Sequence, residues 1–213
     1  CWSYRIKDIV ETLEDKCEAD ECDPKRTYIW IDCLCKNLHR VGPDVPFEQF
    51  SDIFGTIVTS VRTMWSMMTP WDDPEYLTRV WCIFEIFTAS TTPNCKVEIV
   101  MPAQQKKAMI ESLSDIDNLL NVLAKTKIEN AQASREEDKK NILALVEKSV
   151  GHAELNIIVN SSTRKSIIGV IKLEEQLHAR RSRDASTDLD YALLCSKIGK
   201  VLRTLDDLKD ALE

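Results

Sequence analysis

The sequence predicts an α/β fold, with a parallel sheet in the first half of the chain and only helices in the second half. Three observations predict this. Strand-like and helix-like segments alternate up to about residue 102, one strand segment is apolar on both faces, and strand patterns become scarce after Pro102. Alternating elements of this kind build parallel strands joined by helical crossovers. The expected organisation is an α/β domain over 1–102, a helical extension over 103–183 and a repeat-like region over 184–213.

The first elements are a helix, a loop and a strand. Apolar residues recur at helical spacing from the start, at Ile6, Ile9, Val10 and Leu13. An acidic, turn-prone stretch from Glu18 to Lys25 follows. The run from Thr27 to Cys35 is apolar, aromatic or β-branched apart from Asp32, which is typical of a strand covered on both faces. It places Asp32 near the carboxyl end of that strand, where open α/β sheets bind ligands.

The next elements repeat the alternation. A helical pattern begins at Pro46 and continues to Val58, and a second strand is expected over Val61 to Met68. After a break at Thr69 to Pro74, Tyr76 to Ser90 is predicted as a helix and Cys95 to Met101 as a third strand.

The region after Pro102 is predicted to be helical. Apolar stripes at helical spacing run from Ile116 to Leu123, from Ile142 to Val146 and from Ile167 to Leu177. The segment from Leu155 to Val159 also fits a short strand. The segment from His178 to Asp188 is rich in charged and small residues and is interpreted as a linker.

Composition excludes several functional classes. The chain has 213 residues and a net charge of -7, with no long run of Lys or Arg, so nucleic acid is not an expected partner. No apolar run approaches the roughly 20 residues of a membrane span. Three of the eight cysteines, Cys33, Cys35 and Cys82, lie in apolar segments, which favours free thiols in a reducing, by default cytoplasmic, compartment and leaves an organelle open. Cysteine and histidine spacing favours no metal site.

Two motifs carry a family resemblance. The residues from Trp30 to His39 read WIDCLCKNLH, and those from Leu77 to Glu85 read LTRVWCIFE. Together they resemble a divergent Toll/interleukin receptor (TIR) domain, of the kind found in large multidomain proteins of algae and other protists. Leu38 stands where that pattern has glutamine. The resemblance covers about 1–102 and implies a flavodoxin-like parallel sheet. Its first strand is missing here, so we expect the chain to be a fragment.

The end of the chain allows two interpretations. Apolar residues three and four apart, from Tyr191 to Leu212, fit a coiled coil of about three heptads. The alternative, which fits better, is the opening of a tetratricopeptide repeat, carried by Ile198, Gly199, Leu202, Asp206, Leu208 and Ala211. Such repeats bury a core only as an array, so we expect the array to continue in a parent protein.

The resemblance also implies candidate site residues. In TIR domains that cleave NAD, a glutamate four residues after a tryptophan contacts the nicotinamide ribose, which selects Glu85 and Trp81. Ser3, Tyr4 and Arg5 would line the pocket, with Arg5 meeting a phosphate, and Asp32 would lie at the strand end. A fixed carboxylate would stabilise the positive charge that develops on the ribose. No cofactor is expected, and NAD would be a substrate.

A structural interpretation competes with the catalytic one. An acidic residue early in a helix is favoured by the helix dipole alone, and a tryptophan there often belongs to the core. Three hypotheses remain: a TIR-like interaction and assembly module on a tetratricopeptide scaffold, which is preferred; an NAD glycohydrolase using Glu85; and a non-catalytic structural subunit of a large assembly. The preferred hypothesis expects protein partners, self-association or a larger complex.

Overall fold

The computed structural model describes residues 4–35, 47–114, 127–181, 195–201 and 203–204. Its regular elements are α1 (Ile6–Ala19), α2 (Asp32–Cys35), α3 (Phe47–Ser60), β1 (Thr63–Met67), α4 (Val80–Thr91), β2 (Lys96–Val100), α5 (Ala103–Glu111), α6 (Glu136–Ser149) and α7 (His152–Arg181). Short 3-10 helices cover Glu75–Thr78, Ser112–Ser114 and Ile128–Asn130. Residues 195–201 and 203–204 are helical as well. The architecture is mixed α/β and mostly helical.

Two of the three predicted strands are confirmed. β1 and β2 form a two-stranded parallel sheet in which Thr63 pairs with Lys96 and Met67 with Val100. The connection between them contains α4, so the predicted strand–helix–strand unit is present. Residues paired in register share a face of the sheet. Trp65 and Glu98 therefore lie on one face.

The prediction of a strand from Thr27 to Cys35 is wrong. Residues 27–31 form no regular element, and Asp32–Cys35 is a short helix. The amides of Leu34 and Cys35 both donate to the Ile31 carbonyl, at 3.0 and 2.8 Å, which closes a helical turn instead of a sheet ladder. The side chain of Tyr28 is 90% exposed. The apolar run therefore lacks the cover that the prediction assumed, and apolar character alone cannot distinguish a strand from a helix.

The predicted helices are mostly confirmed. α1 and α3 match the first two, and the helix expected from Tyr76 to Ser90 is divided by extended backbone at Arg79 into a 3-10 turn and α4. The segment from Leu155 to Val159 lies inside α7, so it is not a strand. The predicted stripe from Ile116 to Leu123 and most of the linker lie outside the described residues.

The core centres on α4. This helix is apolar around most of its circumference, which is typical of a helix enclosed by other elements. It packs against α3, α6, α7 and both strands. Its side chains at Val80, Ile83 and Ala89 are fully buried. Residues lining the core belong to the α/β half and to the helices after residue 102 alike.

α7 contributes a stripe to this core at a spacing of four residues. Leu155, Val159, Thr163, Ile167 and Ile171 are all buried. A spacing of four residues places them along one side of the helix. That side packs against β2 and α4. The second half of the chain therefore shares its core with the first, whatever the domain boundaries are.

Two side-chain hydroxyl groups donate hydrogen bonds to backbone carbonyls that face outward at the two edges of the sheet. The Lys96 amide donates to the Arg62 carbonyl, and the Met68 amide donates to the Val100 carbonyl. In each strand, the residues that alternate with these hydrogen-bonded positions therefore point their backbone N–H and C=O groups away from the partner strand. Ser166 on α7 donates to the outward carbonyl of Val97 at 2.9 Å. On the other edge, Tyr4 donates to the Met67 carbonyl at 3.0 Å. Both contacts satisfy backbone acceptors that a strand would otherwise pair.

A charged network joins α1 to the sheet. Lys16 Nζ lies 2.6 Å from Asp20 Oδ1 and 3.0 Å from Glu98 Oε2, and it sits 5.8 Å from the centre of the Trp65 ring. The Trp65 indole N–H donates to the same Glu98 oxygen at 3.2 Å, and Lys96 pairs with the other. Burial raises the pKa of Glu98, but hydrogen bonds and charges from Lys96 and Lys16 outweigh it and leave the pKa lowered.

We expect Glu98→Gln to reduce the free energy of unfolding at neutral pH and to lose this effect in acid. A carboxyl group whose pKa is lowered by folding stabilises the folded state at pH values above its unfolded pKa of about 4.3. This contribution disappears as the pH falls through the pKa that the group has in the folded state. Urea unfolding of both proteins between neutral pH and pH of about 3 measures the difference. Glu11→Gln, which removes an exposed α1 carboxylate paired at 3.6 Å with Lys7, is the control. A difference for Glu98→Gln that is independent of pH would contradict the expectation.

Candidate functional site

Glu85 lies on the central helix, at a boundary between core and surface. Its neighbours Phe84 and Ile86 are buried, whereas Glu85 itself is half-buried. The carboxylate oxygen Oε2 accepts a hydrogen bond of 2.9 Å from the hydroxyl of Tyr76. The structure thus fixes the orientation that the sequence left open: Glu85 faces the 3-10 turn that precedes its own helix.

Tyr76 reaches Glu85 because the chain bends between them. The 3-10 helix ends at Arg79, whose backbone is extended, and α4 starts at Val80. Tyr76 is buried, and its pKa is raised well above the ordinary value by burial first and then by the charge of Glu85. The Ser66 hydroxyl partly offsets this rise in the pKa of Tyr76. Tyr76 therefore remains protonated at neutral pH and donates to Glu85.

Tyr4 meets the same region from the N-terminal side. Its hydroxyl donates to Met67 at the carboxyl end of β1. Burial, followed by the charges of Cys82 and Glu75, raises the Tyr4 pKa above its ordinary range. The charge of Cys82 also raises the pKa of Tyr76.

Tyr76 bonds to Glu85, and electrostatic interactions link Tyr4 and Cys82 to Tyr76; we call these four residues the tyrosine–glutamate cluster. It lies near the carboxyl end of β1, the edge at which open α/β sheets bind ligands. Two of the predicted site residues, Tyr4 and Glu85, belong to it. The cluster offers phenolic donors, a carboxylate acceptor and a buried thiol within a largely apolar surrounding. Desolvation of this kind strengthens the electrostatic effect of a fixed carboxylate.

The polar edge of Trp81 faces α6 and not the tyrosine–glutamate cluster. Its indole N–H donates to Asp138 Oδ2 on α6 at 3.3 Å. Its ring meets Phe84 edge-on, with 6.2 Å between centroids and planes at 77°. The hydrogen bond to Asp138 ties α4 to α6. Trp81 is half-buried and one helical turn from Glu85, as the motif predicts, with its N–H engaged by α6.

The other predicted site residues are not brought to the cluster by a described contact. Arg5 forms two hydrogen bonds with Asp8, at 2.8 and 2.9 Å, and its side chain is largely in solvent. Ser3 lies outside the described residues, and so does the side chain of Asp32. The backbone of Asp32 begins α2 and does not end a strand, which corrects the position predicted for it.

The described residues hold no metal-binding group of three or more His, Cys, Asp or Glu side chains. Six cysteines of the described part are free thiols: Cys17, Cys22, Cys35, Cys82, Cys95 and Cys195. No helix within the described ranges is long and apolar enough to cross a bilayer.

Sequence reasoning missed Tyr76 and Asp138 as partners of Glu85 and Trp81. Tyr76 was placed at the start of a continuous helix, where a separation of nine residues gives no contact. One signal was available. A tyrosine that becomes buried needs a partner for its hydroxyl, and Glu85 is the carboxylate that follows within the apolar run. Asp138 is 57 residues from Trp81, and no local pattern joins them.

Neither a known protein family, nor a curated protein, nor a solved structure matches the chain.

Proposed function

We propose that this chain is a TIR-like interaction and assembly module joined to a tetratricopeptide scaffold. The parallel β1–α4–β2 unit supports the TIR-like, flavodoxin-like part of the proposal. So does the placement of helices on both faces, because α1 contacts the Trp65 and Glu98 face while α4 receives the opposite face. The free thiols fit a reducing compartment.

One observation carries the interaction proposal: large apolar side chains are exposed in the first 35 residues. Ile6 and Val10 lie one turn apart on α1 and are 63% and 47% exposed, whereas Thr12 is the buried residue of this helix. The following segment exposes Tyr28, Ile29 and Leu34. Apolar residues at a spacing of four on an exposed helix face form a surface suited to a protein partner.

The scaffold part of the proposal is supported by the helical residues 195–201. Ile198 and Val201, two positions of the predicted repeat region, are buried in the common core. Gly199, expected at a close helix approach, would meet only the Arg203 guanidinium at 3.8 Å if it carried a methyl group. The partner helix that the repeat requires would have to come from residues beyond the described ones.

The interaction proposal is tested by light scattering of the full chain over a concentration series. We expect self-association that the double substitution Ile6→Lys and Val10→Lys abolishes, because two desolvated lysines oppose burial of the α1 face. Ile157→Lys alters an exposed isoleucine on α7 and serves as the matched control. Self-association through this face would be contradicted if the protein stays monomeric at all concentrations. It would also be contradicted if the double substitution on α1 leaves the association unchanged.

A second candidate is an NAD glycohydrolase, favoured by the convergence of Tyr4 and Glu85 on one cluster. Cleavage of the bond to nicotinamide leaves positive charge on the ribose, and Glu85 would stabilise it. The Tyr76 hydrogen bond would hold the carboxylate in one orientation. NAD would be consumed as a substrate.

The enzymatic candidate is tested by following nicotinamide release from NAD. We expect Glu85→Gln to lower the rate by about 10²–10³, the usual effect of removing one electrostatic stabiliser. Glu111→Gln, at an exposed position of α5, makes the same change in charge and should retain the rate. If no nicotinamide is released at high protein concentration, the NAD glycohydrolase candidate is excluded. If association is absent too, the structural-subunit hypothesis becomes the remaining proposal.

A further inference from the structure

The C-terminus of α1 closes in a Schellman motif. The amide of Cys22 donates to the carbonyl of Cys17 at 2.8 Å, and the amide of Glu21 donates to Glu18 at 3.0 Å. Glu21 occupies the left-handed region, with φ of 52°. These are the two reversed hydrogen bonds and the left-handed residue that define this helix ending.

A Schellman motif brings together the side chains of its first and last residues, and an apolar contact commonly fills that position. Here both residues are cysteines. The backbone hydrogen bond from Cys22 to Cys17 brings the two side chains to neighbouring positions, and the Cys22 thiol contributes to the raised pKa of Cys17. Both side chains are half-buried free thiols. A disulfide requires α-carbons roughly 4.4–6.8 Å apart, and a direct carbonyl–amide hydrogen bond between the two residues holds them at a short separation of this kind.

We propose that Cys17 and Cys22 form a redox-active dithiol, which converts reversibly to an intramolecular disulfide by exchange with a small-molecule disulfide. One thiolate attacks a sulfur of the oxidant and releases its first thiol. The second cysteine then attacks the mixed disulfide, forms the internal bond and releases the second thiol. Two electrons and two protons pass from the protein to the oxidant, and a dithiol reductant reverses the change.

The helix ending makes the second step intramolecular between two side chains that a backbone hydrogen bond holds at neighbouring positions. Preformed proximity of this kind gives a high effective concentration of the attacking thiol. The mixed disulfide should therefore not accumulate while both cysteines are present. Burial, followed by the neighbouring Cys22, raises the pKa of Cys17. The exchange should accordingly accelerate as pH rises and the thiolate fraction increases.

The disulfide would also fix the last turn of α1. Lys16 and Asp20 belong to this turn, and Lys16 joins it to the sheet through Glu98. Oxidation would therefore lock the helix ending beside the network that attaches α1 to the fold.

Peptide mapping of the full chain tests the proposal. The protein is incubated with oxidised glutathione, remaining thiols are alkylated in acid, and trypsin is added. Cleavage after Lys16 and Lys25 yields the peptide 17–25, in which Cys17 and Cys22 are the only cysteines. We expect this peptide to lack two hydrogens and to carry neither glutathione nor alkyl group. Dithiothreitol should restore two alkylatable thiols.

Three variants sharpen the test. In Cys17→Ser and in Cys22→Ser, the remaining cysteine of the peptide should retain one glutathione, because the resolving thiol is absent. Cys95→Ser removes another half-buried thiol and should leave peptide 17–25 oxidised as in the unaltered protein. The proposal is overturned if the unaltered protein yields the peptide with two alkyl groups or with glutathione on both cysteines.

Discussion

Ile167→Ala is expected to lower the free energy of unfolding by about 3–4 kcal/mol, the usual cost of a cavity left by a large core side chain. Ile167 is fully buried on the α7 stripe that packs against β2 and α4. Ile157→Ala is the matched control, since this isoleucine of the same helix is 51% exposed. Its substitution should change the free energy by less than about 0.5 kcal/mol.

Two probes make this prediction informative about the whole molecule. All five tryptophans lie at or before residue 81, so their fluorescence reports on the α/β half. Far-ultraviolet circular dichroism reports mainly on the helices. With one shared core, both probes should give the same urea midpoint, and Ile167→Ala should shift both together. A shift seen by circular dichroism alone would mean that the helices after residue 102 unfold independently.

Tyr76→Phe is expected to cost about 1.5–3 kcal/mol, the range for hydrogen bonds to charged groups. The substitution keeps the buried ring and removes the hydroxyl that donates to Glu85. Tyr28→Phe provides a control with the same chemical change, because Tyr28 is almost fully exposed. Its effect should stay within about 0.5 kcal/mol. Urea unfolding measures both.

A double-mutant cycle assigns the effect to the contact. Tyr76→Phe and Glu85→Ala are measured singly and together, and contacting residues should give a coupling of about 0.5–3 kcal/mol. Additive effects would show that the hydroxyl and the carboxylate do not support one another. In that case Glu85 would owe its orientation to packing alone.

The strands and helices were predictable where local pattern and packing agree. β1 and β2 pair with each other along their whole length, so their strand-like sequence character matches their environment. Residues 27–31 have strand character without a ladder in the structure, and pattern alone could not reveal that. In α7, the buried residues recur every four positions from Leu155 to Ile171, a helical spacing that the local strand-like run from Leu155 to Val159 does not reveal.

The candidate site was predictable in part. The motif placed Glu85 on a helix after a turn, and the structure agrees. Tyr76 acts on Glu85 only because extended backbone at Arg79 interrupts the predicted helix. Such a break depends on tertiary contacts: the amide of Val80 donates to the Gln132 carbonyl, and the amide of Gln132 donates to Thr78. A contact more than fifty residues away leaves no trace in the local pattern.

The hydrogen bond from Ser166 to Val97 has a consequence for how the sheet meets other polypeptides. Exposed sheet edges act as templates on which further strands polymerise, and natural folds guard against this. At β2 the guard is a long helix anchored through the core, so an incoming strand would first have to displace α7. Domain swapping or fibril growth through the β2 edge would therefore require α7 to leave the sheet. Adding a strand by design would therefore be more difficult at the β2 edge than at the β1 edge.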